Sequence, residues 1–310
     1  MNLLFVVDPL AGLKPYKDSS VAMMRAAQAR GHAVHACETA HLYIRQGDAC
    51  ADCEALDVSP EDAWYRIRGK REWRLADFDA VIMRTDPPVD TNYLLATHVL
   101  GVAEAHGARV LNRPQALRDF NEKLAILNFP QFIAPTLVAA QAVEIEAFLL
   151  EQRDIIVKPL TEMGGAGIFR LALHDPNRNA ILETLTHRGR RPIMAQRYLP
   201  EISEGDKRIL LIDGKIIPFA LARIPKAGET RGNLAAGGTA RAQPLSDRDR
   251  EIAEAIAPWA RERGIFLAGL DVIGDCLTEI NVTSPTGFQE ISAQAGIDVA
   301  ARFIEAVERA

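Results

Sequence analysis

Apolar positions near the start of the chain cluster into short runs rich in β-branched residues, and between these runs apolar residues recur every three or four positions. Residues 3–7 (LLFVV) read as a first strand. Ser19 or Ser20 is placed to cap a helix that runs through VAMMRAAQAR to a stop at Gly31, and HAVHACE then returns as a strand. A polar stretch without a clear period follows. Beyond it, residues 80–83 predict a strand, residues 93–106 a helix ended by Gly107, and residues 109–111 a strand closed by Arg113-Pro114. This alternation predicts an N-terminal α/β unit over residues 1–120, a doubly wound, mostly parallel sheet with helices on its faces.

The pattern changes at NEKLAILNFPQFIAPT, where helical spacing gives way to a loop punctuated by proline, and a second unit is predicted over residues 121–200. It holds the strand DIIVKPL, a glycine-rich loop, the strand IFRLA, a helix over residues 179–187 and the strand PIMAQRYL. A third unit, residues 201–310, opens with RILLIDGKIIPFALARI, two apolar runs joined by Asp213-Gly214, a dipeptide that tight hairpins favour. The glycine-rich IPKAGETRGNLAAGGTA comes next and has few apolar anchors, so it predicts a lid that orders around a ligand. A helix over residues 246–263 stopped by Gly264, the strands FLAGLDVI and LTEINV, and a final helix follow. The predicted class is α/β (α+β).

Composition narrows the function classes. With 310 residues, 48% of them hydrophobic, the chain can bury a sizeable core. No apolar run reaches the roughly 18 residues of a membrane span. The start MNLLFVVDPL has no basic segment before its apolar stretch and no small-residue cleavage site after it, so a cytoplasmic protein with no membrane partner is predicted. The 36 Lys and Arg against 41 Asp and Glu give a net charge of -5 with no block of like charge, which predicts no nucleic-acid partner. Four cysteines are too few for a disulfide scaffold. Cys50 and Cys53 form one Cys-x-x-Cys with His35 and His41 upstream, but without a second pair or a spaced His pair they read as loop cysteines rather than a zinc or redox site. No Gly-x-Gly-x-x-Gly follows the first strand, which disfavours a dinucleotide-binding dehydrogenase.

Three constellations carry candidate chemistry. In VKPLTEMGGAGIFRL, Gly164, Gly165 and Gly167 sit between two strands rather than before a helix, the arrangement of a flap whose N–H groups close over phosphates. Lys158 interrupts the apolar strand just before that flap, where a charge needs a partner. Asp271, Glu279 and Asn281 in LDVIGDCLTEINVTSPT supply hard oxygen ligands of the kind magnesium takes. Glu279 and Asn281, two apart on one strand, share a face; Asp271 joins them only if the turn is Gly274-Asp275-Cys276, because a two-residue turn would send it to the other face. Arg84, Arg208, Arg223 and Arg231 offer planar forks for phosphate or carboxylate.

Together with KDSS, MRTDPP, NRPQALRDFNEKL, MAQRYLP, GDKRILLIDG and ARIPKAGETRGNLAAGG, these blocks resemble prokaryotic glutathione synthetases over nearly the whole chain. The resemblance implies an ATP-grasp fold behind the N-terminal domain, ATP as substrate with γ-glutamylcysteine and glycine, an acyl-phosphate intermediate, magnesium (manganese as an alternative) and a homotetramer. It implies phosphate ligation by Lys123 and Lys158 under the flap at Gly164, Gly165 and Gly167, and a base strip at Gln196, Arg197, Tyr198 and Leu199 with Asp206 on the ribose. Arg208, Arg223 and Arg231 become the catalytic arginines, and Asp271, Glu279 and Asn281 the metal ligands. Ser19, Ser20, Arg84 and Asp86 fall to the dipeptide, and Ser284 and Thr286 to the acceptor carboxylate at the start of the last helix. The rival readings are another ATP-grasp amino-acid or peptide ligase and a non-enzymatic nucleotide-binding regulator.

Overall fold

The computed structural model describes residues 1–61, 63–226 and 238–310. The first sheet contains β1 (Asn2–Val6), β2 (Ala33–Cys37), β3 (Leu42–Arg45), β4 (Asp48–Val58), β5 (Tyr65–Arg74), β6 (Ala80–Met83) and β7 (Val110–Leu111). Its order is β3-β4-β2-β1-β6-β7, with β5 along the other edge of β4. The run β2-β1-β6-β7 is parallel, as the apolar pattern predicts; the helices α1 (Ser19–Ala29) and α2 (Thr91–Ala105) fall between its strands, and α3 (Pro114–Asp119) follows β7. The polar stretch after β2 is an antiparallel β3-β4-β5 extension. Its outermost strand is exposed on both faces, so it buries no alternating apolar row and leaves no period to read.

Cap chemistry sets the helix starts, with one correction. Asp18, not a serine, caps α1, accepting the amides of Ser20 at 2.7 Å and Val21 at 3.0 Å; Ser19 and Ser20 are the first, buried helical residues. The free end of that helix is Gly31, in the left-handed region at φ +80°.

The second sheet is antiparallel, in the order β10-β9-β11-β8, from β8 (Thr136–Ala139), β9 (Asp154–Pro159), β10 (Phe169–Ala172) and β11 (Ile193–Arg197). The helices α4 (Ala142–Gln152) and α5 (Arg178–Leu185) pack on it through their own small core around Ile145, Leu149 and Leu182. The third sheet runs β14-β13-β12-β15-β16, from β12 (Asp206–Ile212), β13 (Lys215–Ile224), β14 (Thr239–Pro244), β15 (Leu267–Ile273) and β16 (Cys276–Asn281). Asp213 and Gly214 turn β12 into β13 with φ of 48° and 70°, the pair of left-handed residues a two-residue hairpin needs. Pro218, which cannot donate to a ladder, falls where the β12–β13 register slips. Between β14 and β15, α6 (Asp247–Glu262) is started by a reciprocal Ser246–Asp249 capping box. The chain ends not in one helix but in two, α7 (Phe288–Ala295) and α8 (Val299–Arg309), broken at Gly296 in the left-handed region. Two large apolar clusters join the first sheet to the third, so these two layers share a core while the second sheet leans over a cleft.

Candidate active site

A cleft opens between the second and third sheets. Lys158 enters from β9, opposite Met194 of β11, and Lys123 enters from the segment after α3. Both are buried, and both point at one carboxylate across the cleft: Lys123 Nζ lies 3.7 Å and Lys158 Nζ 3.5 Å from Glu279 Oε1. Each ammonium also donates to a backbone carbonyl, Lys123 to Glu162 at 2.7 Å and Lys158 to Thr278 at 3.2 Å. Burial holds the Lys158 ammonium below the usual lysine value, with Glu279 opposing. Two cations and one carboxylate in a buried space leave room for an anion.

The glycine loop roofs this space. Gly164, Gly165 and Gly167 have φ of 65°, 84° and 68° between β9 and β10, conformations that side chains resist, and Gly164 and Gly165 line the cleft. At Gly167 a Cβ would sit 2.8 Å from Pro159 Cγ, so contact as well as φ demands glycine there.

The opposite wall is a network of ion pairs fixed by strand register. Arg208 on β12 faces Asp271 on β15, and Asp206 faces Arg223 on β13. Arg208 grips Asp271 with two bonds of 2.5 and 2.9 Å, while Arg223 reaches Asp206 at 2.5 Å and Asp271 at 2.8 Å. Burial alone would raise the Asp271 carboxyl, but the two guanidinium groups outweigh it and hold it well below the usual range. Asp206 goes the other way: burial pushes it up to about 6 despite Arg223. One of its oxygens, Oδ1, is buried without a partner.

The register of β15 and β16 corrects the turn expected from sequence. Ile273 pairs with Cys276, so the turn is the two residues Gly274 and Asp275, yet Asp271 still pairs with Glu279 because Thr278 is an extra, bulged residue. The bulge has a second effect: it offers the Thr278 carbonyl to Lys158. Asn281 Nδ2 donates to Gly269 O at 3.1 Å, which leaves its Oδ1 to act as an acceptor. Glu279 and Asn281 therefore present oxygen donors beside the anion space, with Asp271 behind them already bound to arginine. This donor set fits a hard divalent cation that takes the rest of its shell from phosphate and water. Among the described residues no group of three or more His, Cys, Asp or Glu is placed to hold a metal ion, so a cation here would depend on Asn281 and on phosphate and water oxygens.

Gln196, Arg197, Tyr198 and Leu199 line the cleft as β11 ends. The Arg197 and Tyr198 amides already donate to Pro135 and Asp154 carbonyls, each at 3.0 Å. A second cluster forms where β1 and β6 end against the approach to α7. Arg84 Nε donates to Ser20 Oγ at 3.0 Å and its Nη2 to Pro285 O at 3.1 Å, leaving buried Nη1 unpartnered. Ser284 donates to Asp86, and Ser19 Oγ accepts the Phe288 amide at 3.4 Å. Thr286 is exposed beside them and precedes α7, not the last helix. The two clusters meet at Gly269, where a Cβ would lie 2.8 Å from both Arg208 Cδ and Pro285 Cβ. Arg231 and most of the proposed lid lie outside the described residues. The cysteines are not in a loop: Cys50 and Cys53 are three apart on β4, hence on opposite faces, and all four cysteines are free. His35 packs edge-on against Trp73 and Phe78, at 5.2 and 5.3 Å between ring centres, and burial with the nearby Arg71 charge holds it below the usual histidine value.

Residues 1–118 match the model of the prokaryotic glutathione synthetase N-terminal domain and residues 122–296 that of its ATP-grasp domain. The chain belongs to the prokaryotic glutathione synthetase family. The glutathione synthetase of Neisseria meningitidis serogroup A is 56% identical, covering 99% of this chain and 98% of its own length. That of Ralstonia nicotianae is 55% identical over 100% and 96%. The fold is the ATP-grasp fold: the D-cycloserine synthetase DcsG superposes with a TM-score of 0.70 at 16% identity, over 100% of this chain and 99% of that one. The ATP-grasp ligase PsnB, complexed with minimal precursor, Mg and ADP, gives 0.63 at 18% identity, over 99% and 97%.

For this member of the glutathione synthetase family, sequence reasoning missed Glu122, Thr278, Thr283 and Gly269. Glu122 adjoins Lys123 in NEKL and was open to notice as a carboxylate leaving a helix. Thr278 and Gly269 had no local signal, since a bulge and a close contact arise from pairing with distant strands.

Proposed function

We propose that the chain forms glutathione from γ-glutamylcysteine and glycine, driven by ATP. The observation that carries this reading is the convergence of Lys123 and Lys158 on Glu279 beneath a glycine flap, in a chain of this family. A cysteinyl carboxylate is a weak nucleophile toward a tetra-anionic nucleotide, so the site has to cancel charge and hold the reactants in line. The carboxylate oxygen attacks the γ-phosphorus, ADP leaves, and the glycine nitrogen then attacks the acyl carbonyl, losing a proton as phosphate departs.

Lys123 and Lys158 exchange their carbonyl and carboxylate partners for the α and β phosphates, and the N–H groups at Gly164, Gly165 and Gly167 cover them. The free Oδ1 of Asp206 takes ribose hydroxyls, and the strip from Gln196 to Leu199 faces the base. Arg208 and Arg223, already oriented by carboxylates, and Arg231 stabilise the charge that develops on the acyl phosphate and tetrahedral intermediate. Ser19, Ser20, Arg84 and Asp86 receive the dipeptide, while Ser284 and Thr286 receive the acceptor carboxylate ahead of α7. Magnesium, or manganese in its place, would be held by Glu279, Asn281 and Asp271, where it supplies charge neutralisation at the phosphate oxygens. In this reading residues 1–120 bind substrate, 121–200 bring the flap and 201–310 bring the lid and metal ligands. The resemblance to the family extends the proposal to a cytoplasmic homotetramer.

Phosphate, ADP and glutathione measured together test it. Equal amounts should form only when γ-glutamylcysteine and glycine are both present; comparable kcat/KM with another amine or peptide acceptor would assign a different ligase.

A further inference from the structure

Residues 121–123, between α3 and the second sheet, are bonded to both walls of the cleft. On the flap side, Asn121 Nδ2 donates to Leu160 O at 2.8 Å, and Lys123 Nζ to Glu162 O at 2.7 Å. On the other side, the Glu122 carbonyl accepts the Ile280 amide at 2.9 Å. One side-chain oxygen, Glu122 Oε1, takes three further donors: the amides of Val282 at 2.8 Å and Thr283 at 3.0 Å, and Thr283 Oγ1 at 2.8 Å. That is a full load for one oxygen. The bonded backbone lies directly between Asn281 and Ser284, so its direction decides where both of those side chains stand.

We propose that Glu122 is a positioning residue, whose Oε1 holds the chain at Val282 and Thr283 so that the acceptor end of the site stays in register with the phosphate-binding Lys123 beside it. This inference rests on the ligase reading above. An acyl phosphate must meet an amine before it meets water, and that depends on the acceptor end being fixed when the phosphoryl group moves. Without the carboxylate, two amides and a hydroxyl lose their common partner while the lysines keep theirs. Phosphoryl transfer then outlasts capture, and the signature is uncoupling.

The test uses the full chain with Glu122→Ala, Glu122→Gln and Thr283→Val, measuring ADP and glutathione formed, KM for ATP and for glycine, and melting temperature. Glu122→Ala should release roughly threefold or more ADP per glutathione and raise the glycine KM about tenfold, with the ATP KM shifted less than about threefold. Thr283→Val, which removes one of the three donors, should move the same way by a smaller factor. Glu122→Gln keeps an acceptor oxygen and should restore most of the coupling. The proposal is overturned if Glu122→Gln is as defective as Glu122→Ala, since charge and not positioning would then be at work. It is also overturned if melting temperature falls while coupling and KM values hold. Should Glu122→Ala fail to fold, normal coupling in Thr283→Val overturns it. A wild-type chain that makes no glutathione sinks the ligase reading instead.

Discussion

Lys123 and Lys158 stand 3.7 and 3.5 Å from the nearest oxygen of Glu279, whereas Arg208 and Arg223 lie 2.5 and 2.8 Å from the oxygens of Asp271. All four cations are buried, and Lys123, Lys158 and Arg208 line the same cleft. The lysines are compact charges on flexible stems, held chiefly by backbone carbonyls that a phosphate oxygen can replace. The arginines are planar forks locked by carboxylates from neighbouring strands, so moving one would leave a buried charge unpaired. Loose pairing leaves a cation free to exchange its partners for a ligand, whereas tight pairing fixes a cation's place and orientation in advance.

The comparison can be broken in three places. The largest effect is expected at the carboxylate the lysines share. Glu279→Gln should fold normally but lose about 10² to 10³-fold in turnover at saturating magnesium, because phosphate charge is left under-neutralised by several kcal/mol; near wild-type rates would remove Glu279 from the site. Next comes the tight pair. Asp271→Ala strips both arginines of a shared partner inside the protein, and urea unfolding should show a loss of about 3–5 kcal/mol.

The smallest effect concerns pH. Burial pushes Asp206 up to about 6, above its unfolded value of 3.8, so between those values the folded state binds the extra proton and this group's contribution to stability falls as pH rises. Asp271, held low by its arginines, does the opposite, contributing stability that is lost only as pH falls below 3.8. Ribose hydroxyls favour the Asp206 carboxylate, so the KM for ATP should rise several-fold as pH drops through about 6. Asp206→Asn should flatten that profile, and an unchanged profile would exclude Asp206 as the titrating group.

How much of this was legible in the sequence follows from where each signal is stored. The parallel strands of the first sheet, the Asp213-Gly214 hairpin and the Ser246 start of α6 are local features, and each was read from its own few residues. The β3-β4-β5 extension was not, because exposed β5 alternates charges with no buried row. Lys158 was recognisable as a charge inside an apolar strand, and the flap as glycines between strands. The meeting of Asp271 with Glu279 was anticipated through the wrong turn, since a bulge is fixed by what the partner strand demands. Glu122 stands out beside Lys123 in NEKL, but its partners do not, because its three bonds reach about 160 positions along the chain.

We propose that the loosely paired lysines are ligand sites and not framework. Lys158→Ala tests it most directly when affinity for a non-hydrolysable ATP analogue and urea stability are measured on the same preparation. A loss of about 10-fold to 100-fold in affinity, the worth of one charged hydrogen-bonding contact, is predicted with stability within about 1 kcal/mol of wild type. Unchanged affinity with stability lost on the scale of Asp271→Ala would contradict the account.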